Sequence, residues 1–146
     1  MITPLIMTRR IPFLIIALLF ILSSCGPNLR EENLKLREEI IGYHDEVMPL
    51  MGKLKTLEKE AVQTIEKLEK EENPDSEKIV ELKALAVDLN DAYEGMFDWM
   101  HGYDVTDGDM TQEELKVYLE DQLVKVKEVN KQFKEVLDRS EKLLGD

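Results

Sequence analysis

The chain has 146 residues, 31 Asp and Glu against 19 Lys and Arg, a formal net charge of −12 and a single cysteine. A chain of this length forms about one domain. The single cysteine excludes an internal disulfide and a cysteine-based metal site, and the acidic balance argues against binding to nucleic acid, whose phosphates require basic patches.

The first 24 residues differ in composition from the rest of the chain. They contain Arg9 and Arg10 but no acidic residue, and the run from Ile11 to Leu22 holds twelve residues without a charge. A membrane-spanning helix needs about 20 apolar residues. Twelve residues behind a positively charged segment are typical of a signal peptide, which the sequence therefore predicts over residues 1–24.

The residue that follows is the only cysteine. Leu22-Ser23-Ser24-Cys25 resembles the lipobox of bacterial lipoproteins, in which the thiol receives a diacylglycerol and the peptide is cut just before the cysteine. The resemblance implies a membrane anchor on Cys25, with the palmitate-type acyl chains of such proteins, because two or three chains hold a protein stably at a bilayer. The alternative is a plain secretory signal with an incidental cysteine nearby.

The chain from Cys25 onward carries 17 Lys and Arg against 31 Asp and Glu, so its net charge is −14. Such a surface favours solubility. It argues against a protein that lies flat on an anionic bilayer, which requires a basic amphipathic face.

The first helix is predicted from about Leu29 to Glu72, with a kink at Pro49, because proline removes a backbone hydrogen bond and crowds the preceding turn. Its apolar residues recur every three or four positions, which is a heptad seam. The seam consists of Leu36, Ile40, Tyr43, Val47, Leu50, Leu54, Leu57, Ala61, Ile65 and Leu68.

A second helix is predicted from Glu77 to about His101, after an N-cap at Asp75 or Ser76 and before a C-cap at Gly102. Two adjacent apolar stripes run along it and predict that it lies in the middle of the structure, with a neighbour on each stripe. They consist of Ile79, Leu82, Ala86, Leu89, Tyr93, Met96 and Met100, and of Leu85, Ala92 and Trp99.

The third helix is predicted to open with a capping box at Thr111-Gln112-Glu113-Glu114. Its seam consists of Leu115, Leu119, Gln122, Val126, Val129, Phe133, Val136 and Leu143.

Three long helices joined by short loops predict an all-α fold, an antiparallel three-helix bundle of coiled-coil-like helices. The predicted division is a cleaved lipoprotein signal peptide over 1–24, a lipid anchor and short tether over 25–32, and the bundle over 33–146. A coiled coil shared between chains is the alternative, and the oligomeric state stays open.

One end of the predicted bundle has a distinct composition. Aligning the first two helices about the 73–75 turn places His44 and His101 within about three residues along the axis, or about 4.5 Å. The possible ligand-binding residues there are His44, Met48, Met51, Met96, Trp99, Met100 and His101. Imidazole and thioether groups suit copper or haem iron, but methionines at helical spacing are more typical of core packing. Helical angles place both histidines at the flank or surface. We therefore predict no metal or cofactor.

Other chemistry has little support. Asp104, Asp107 and Asp109 suggest a calcium-binding loop. If Gly108 is aligned with the invariant glycine of an EF-hand loop, however, Tyr103 and Val105 fall at positions that must supply calcium ligands. A solvated loop is therefore the favoured interpretation. The sequence also lacks the nucleophile, phosphate-loop and metalloprotease motifs, and it predicts a protein that is not an enzyme.

The segments "HDEVMPLMGKL" and "DLNDAYEGMFDWMHGYD", behind a lipobox and before a Glu/Lys-rich helix, resemble a family of small Bacteroidota lipoproteins often labelled "viral A-type inclusion protein". The resemblance implies a cell-envelope location and no particular chemistry. We expect a lipid-anchored, non-catalytic protein with an interaction or structural role and an envelope partner. Gly26 directly after the lipidated cysteine favours the outer membrane. A metal- or haem-binding bundle is the alternative.

Overall fold

A computed structural model describes residues 28–145, so the predicted signal peptide and Cys25 lie outside the described residues. The described chain forms α1 (Leu29–Val47), a 3₁₀ turn (Met48–Leu50), α2 (Met51–Leu68), α3 (Ser76–Gly102) and α4 (Gln112–Leu144). The first predicted helix corresponds to α1 and α2 on either side of the bend. The all-α three-helix bundle is confirmed.

The helix ends follow the predicted capping residues in most places. Asp75 caps α3 by accepting a hydrogen bond from the backbone of Lys78, and Thr111 and Glu114 form a complete capping box on α4. The prediction for Gly102 is wrong: it is the last helical residue, and the cap is Tyr103 in an extended conformation. Asn28 caps α1, so residues 29–32, which the predicted division gave to the tether, form its first turn.

The bend at Pro49 changes which side chain fills the core. The predicted seam continued through Leu50, but Leu50 is 37 % exposed and Met51 is 8 % exposed. The backbone of α1 packs closely on α4, whereas that of α2 packs on α3. Because the buried direction rotates between these two partners, the seam resumes at Met51 rather than at Leu50.

The bent helix formed by α1 and α2 runs antiparallel to α3, and α3 runs antiparallel to α4, so α1 and α4 run parallel. Lys55 of α2 bonds to Asn90 of α3, and Lys83 of α3 reaches back to Glu69. The start of α1 lies beside the start of α4, where the Asn33 amide donates to the backbone oxygen of Gln112 at 2.9 Å. As predicted, α3 has a neighbour on each side, α2 and α4.

The core consists of the apolar seams of all the helices. The largest fully buried apolar side chains are Phe133, Ile40, Leu54, Leu82, Leu85, Leu89, Met96, Leu119, Val47 and Val126. Four polar residues are also buried: Asn33, Gln122, Asn130 and Ser140. Of these four, only Gln122 belongs to a predicted apolar seam, that of the third helix, and was therefore expected to be buried.

Asn130 is the buried polar residue that joins α1 to α4 near the bend. Its amide donates to the backbone oxygen of Tyr43 at 2.8 Å and to the carboxylate of Glu46 at 3.1 Å. A buried amide must find such partners or lose the free energy of its hydrogen bonds to water. Asn130 therefore favours one alignment of the two helices, as a buried Asn does in coiled coils.

Ion pairs at seven-residue spacing mark the same alignment along the surface. Glu39 pairs with Lys127 at 2.8 Å, Glu46 pairs with Lys134, and Lys53 pairs with Glu141 at 3.1 Å. In each pair the second residue follows the first by 88 positions. A slip by one heptad would place Lys53 against Lys134, or Glu46 against Glu141.

Such exposed pairs contribute little stability one by one. The order of positive and negative charges in these pairs nevertheless distinguishes the observed register from one shifted by a heptad, because the shift places like charges together. Hydrogen bonds from Lys134 and Asn130 also lower the pKa of Glu46, so this carboxylate stays charged in its place opposite Lys134. No helix within residues 28–145 has the length and apolar character that crossing a membrane requires.

The change of seam at the bend predicts unequal effects for two adjacent residues. Met51→Ala removes a buried side chain and is expected to lower the free energy of unfolding by about 2 to 5 kcal/mol. Leu50→Ala is the matched control and is expected to change it by less than about 1 kcal/mol. Urea denaturation measures both; a larger loss for Leu50→Ala would show that the seam passes through residue 50.

Candidate functional site at the histidine–methionine cluster

The structure brings together three of the residues singled out in the sequence. His44, in the last turn of α1, faces the end of α3, where its Nε2 lies 3.3 Å from the Sδ of Met100. The imidazole and the Trp99 indole have ring centroids 5.7 Å apart and are tilted by 41°. We call His44, Trp99 and Met100 the histidine–methionine cluster.

The other predicted residues divide between the edge of this cluster and the core. Met48 is half-buried and follows His44 by four positions, so the two side chains share one helical face. Met51 and Met96 are 8 % and 0 % exposed and belong to the hydrophobic core, in agreement with the packing interpretation.

His101 has different surroundings. It is exposed, its Nδ1 lies 2.8 Å from the backbone oxygen of Phe97, and its ring stacks on the Phe97 ring. The predicted positions at the flank and the surface are confirmed, since His44 is half-buried and His101 is exposed. Both histidines lie at the level of the C-terminal end of α3, but only His44 faces the methionine sulfur.

Hydrogen bonding distinguishes the two nitrogens of His44. Nδ1 lies 2.8 Å from Oδ1 of Asp45. A carboxylate oxygen accepts and cannot donate, so Nδ1 carries the proton in this pair. In the neutral imidazole this leaves Nε2 with its lone pair directed at Met100.

A row of stacked aromatic rings continues from the cluster toward the loop between α3 and α4. Trp99 stacks on Tyr103 with centroids 5.1 Å apart, and Tyr103 stacks on Tyr118 at 6.3 Å. Trp99 is 7 % exposed, and its indole N–H has no hydrogen-bond partner among residues 28–145. Burial raises the pKa of the Tyr103 hydroxyl, and the nearby Arg37 guanidinium partly opposes this shift.

Arg37 fixes the loop over residues 103–111. Its guanidinium donates to the Tyr103 hydroxyl at 3.2 Å, to the backbone oxygen of Val105 at 3.1 Å and to the Asp107 carboxylate at 2.6 Å. The planar guanidinium suits several simultaneous acceptors of this kind. Nothing in the spacing of the sequence indicated that Arg37 has this role, because its partners lie 66 to 70 positions away.

The loop acids are largely engaged by the protein itself. Asp104 accepts hydrogen bonds from the backbone N–H and the hydroxyl of Thr106, and these bonds lower its pKa. Asp107 pairs with Arg37, and Gly108 makes the turn with φ of 53°. All three acids, Asp104, Asp107 and Asp109, are exposed, in agreement with the interpretation of a solvated loop, although the cap of α4 is Thr111. In the part of the chain that the structure describes, no three His, Cys, Asp or Glu side chains converge as a metal site.

A surface groove that the sequence did not indicate runs between α3 and α4. It encloses about 390 Å³ and is lined by Asp88, Asp91, Ala92, Gln132, Glu135, Val136 and Arg139. Arg139 crosses it to pair with Asp88 at 2.6 Å. None of the predicted site residues lines this groove.

Comparison with protein-family models, curated proteins and solved structures finds no match to this chain. The family resemblance of its two distinctive segments therefore stays a prediction from sequence.

The Arg37 contacts predict that one substitution loosens the loop. Arg37→Ala is expected to speed hydrogen exchange of the backbone amides in 103–111, because the three bonds that brace the loop are lost. Lys35→Ala is the control, since Lys35 pairs with Glu31 on its own helix. Exchange mass spectrometry compares the two; equal exchange in the loop would mean that Arg37 does not hold it.

Proposed function

We propose that the protein is a lipid-anchored, non-catalytic component of a bacterial cell envelope, which uses its helical bundle for an interaction or structural role. The observation that carries the proposal is the sequence Leu22-Ser23-Ser24-Cys25 behind a basic and apolar leader. The loss of that leader would leave acyl chains on Cys25 as the means of membrane retention.

The start of the bundle supports this arrangement. Asn28 caps α1 and follows Cys25 by three residues, a distance of at most about 11 Å even when fully extended. A lipid on Cys25 would therefore hold the Leu29 end of the bundle close to the headgroups. The loop over 103–111, which Arg37 joins to α1, would lie at this same end.

The opposite end would extend away from the membrane. The first helix runs from Leu29 to Leu68, and forty residues at about 1.5 Å each give a length of about 60 Å. The α2–α3 turn would thus be the part most accessible to an envelope partner. Gly26 after the cysteine favours the outer membrane within this proposal.

The alternative function, binding of metal or haem at the histidine–methionine cluster, is supported by one specific contact. This is the 3.3 Å approach of the His44 imidazole to the Met100 sulfur. His101, the second histidine that haem ligation would use, bonds to its own helix instead, so the contact favours a small site over a haem pocket.

Metabolic labelling with a palmitate analogue tests the anchor. The wild-type chain, expressed in a bacterium that processes lipoproteins, is expected to incorporate the label and to fractionate with membranes. Cys25→Ser is expected to lose both, because the acylated thiol is absent. Ser23→Ala is the control, since it keeps a small residue in the motif and is expected to retain the label. Label that persists in Cys25→Ser, or that never appears in the wild type, would refute the anchor.

A further inference from the structure

The contact between His44 and Met100 joins two groups that do not attract each other in their neutral forms. Nδ1 of His44 is the donor to Asp45, so Nε2 of the neutral ring is an acceptor. The thioether sulfur of Met100 is also an acceptor. Two lone pairs that face each other at 3.3 Å repel unless a positive species, either a proton on Nε2 or a metal ion, lies between them.

The geometry agrees with a small cation bound by both atoms. Zinc lies about 2.0 to 2.1 Å from imidazole nitrogen and about 2.3 Å from cysteine thiolate. The 3.3 Å separation of the two atoms is shorter than the sum of two such distances, so one ion can contact both. Met48 follows His44 by four positions and therefore lies on the same helical face.

The contact of Asp45 with His44 resembles one that is common at metal-binding histidines. Histidines that bind metals commonly donate their other N–H to a carboxylate, which fixes the tautomer and makes the ligating nitrogen more basic. The Nδ1–Asp45 contact of 2.8 Å has this form. Nearby, the buried Trp99 N–H lacks a partner among the described residues, so the cluster is less well satisfied than ordinary core packing.

The donor set indicates which class of ion would bind. Thioether sulfur is a soft ligand that selects Cu(I) over hard cations, and imidazole also binds copper. Hard and borderline ions that need several carboxylates or histidines have no converging trio within residues 28–145. From the His44–Met100 and His44–Asp45 contacts we infer that His44 and Met100 form a binding site for a soft monovalent cation of the Cu(I) and Ag(I) class. This inference rests on the alternative function proposed above and does not depend on the lipid anchor.

The test uses the full chain, purified in detergent, with Cys25→Ser in every sample so that no thiol competes for the metal. Silver nitrate is titrated first, because Ag(I) is stable in air, and Cu(I) is then added under anaerobic reducing conditions. Emission of Trp99, the only tryptophan, reports binding beside the His44 ring. Native mass spectrometry gives the stoichiometry.

The expected result is one ion per chain, with Zn(II) not bound at the same concentration. His44→Ala and Met100→Leu are each expected to weaken binding by more than tenfold. Asp45→Asn is expected to weaken it by about 10- to 100-fold, as for other residues that orient a metal ligand. His101→Ala and Met110→Leu are matched controls and are expected to bind like the parent.

Circular dichroism of each variant shows whether the bundle is intact. If His44→Ala unfolds, His44→Gln and Met100→Leu decide the question, since they keep most of the side-chain volume. Binding that is unchanged in His44 and Met100 variants, or absent from the parent chain at micromolar Ag(I), would overturn the inference. The latter result would leave the contact as a hydrogen bond from a protonated His44 to the sulfur of Met100.

Discussion

The first helix buries its apolar face against two different partners in succession, and the rest of the structure depends on this division. Up to Val47 its close neighbour is α4, and from Met51 onward it is α3. The 3₁₀ turn at Met48–Leu50 joins the two parts, because Pro49 cannot donate the backbone hydrogen bond that an uninterrupted α-helix requires. A straight helix would keep its buried side turned in one direction.

The histidine–methionine cluster lies at this change of partner. His44 precedes the 3₁₀ turn by one helical turn, and Met100 and Trp99 reach it from the end of α3. The same part of the structure carries the Trp99 indole N–H, which has no hydrogen-bond partner among residues 28–145. A buried polar atom without a partner calls for an explanation, and among residues 28–145 the other such atoms belong to Asn33 and Arg139.

The register of α1 against α4 is set by side chains alone. Helices that follow each other in the chain are restrained by short loops, but α1 and α4 run parallel with 88 residues between paired positions. Lys53, at the start of α2, continues the same spacing. Asn130 in the interface and the reversal of charge at Lys53–Glu141 both distinguish the observed alignment from a shift of one heptad. Coiled coils use the same two means of fixing register.

Periodicity and capping residues were sufficient to predict the helices and their order. Thr111, Asp75 and Pro49 act locally, and their effects can be derived from a few neighbouring residues. The change from Leu50 to Met51 could not be derived in this way, because it depends on which partner each half of the helix meets.

The roles of Arg37 and Asn130 were missed for a related reason. Their partners lie 66 to 87 positions away, and a single sequence does not indicate which distant residues are in contact. The proximity of His44 to the α3 methionines followed from helix length alone. The separation of His44 from His101 depended on the direction of each ring, which spacing does not determine.

The central claim is that a single chain closes this core by itself, with the first helix shared between α4 and α3. Thermal unfolding of a chain that begins at Gly26, followed by circular dichroism over a hundredfold range of concentration, tests it most directly. A self-contained bundle unfolds cooperatively at a midpoint that does not depend on concentration. A midpoint that rises with concentration would show that the core is completed by a second chain, and would contradict the account.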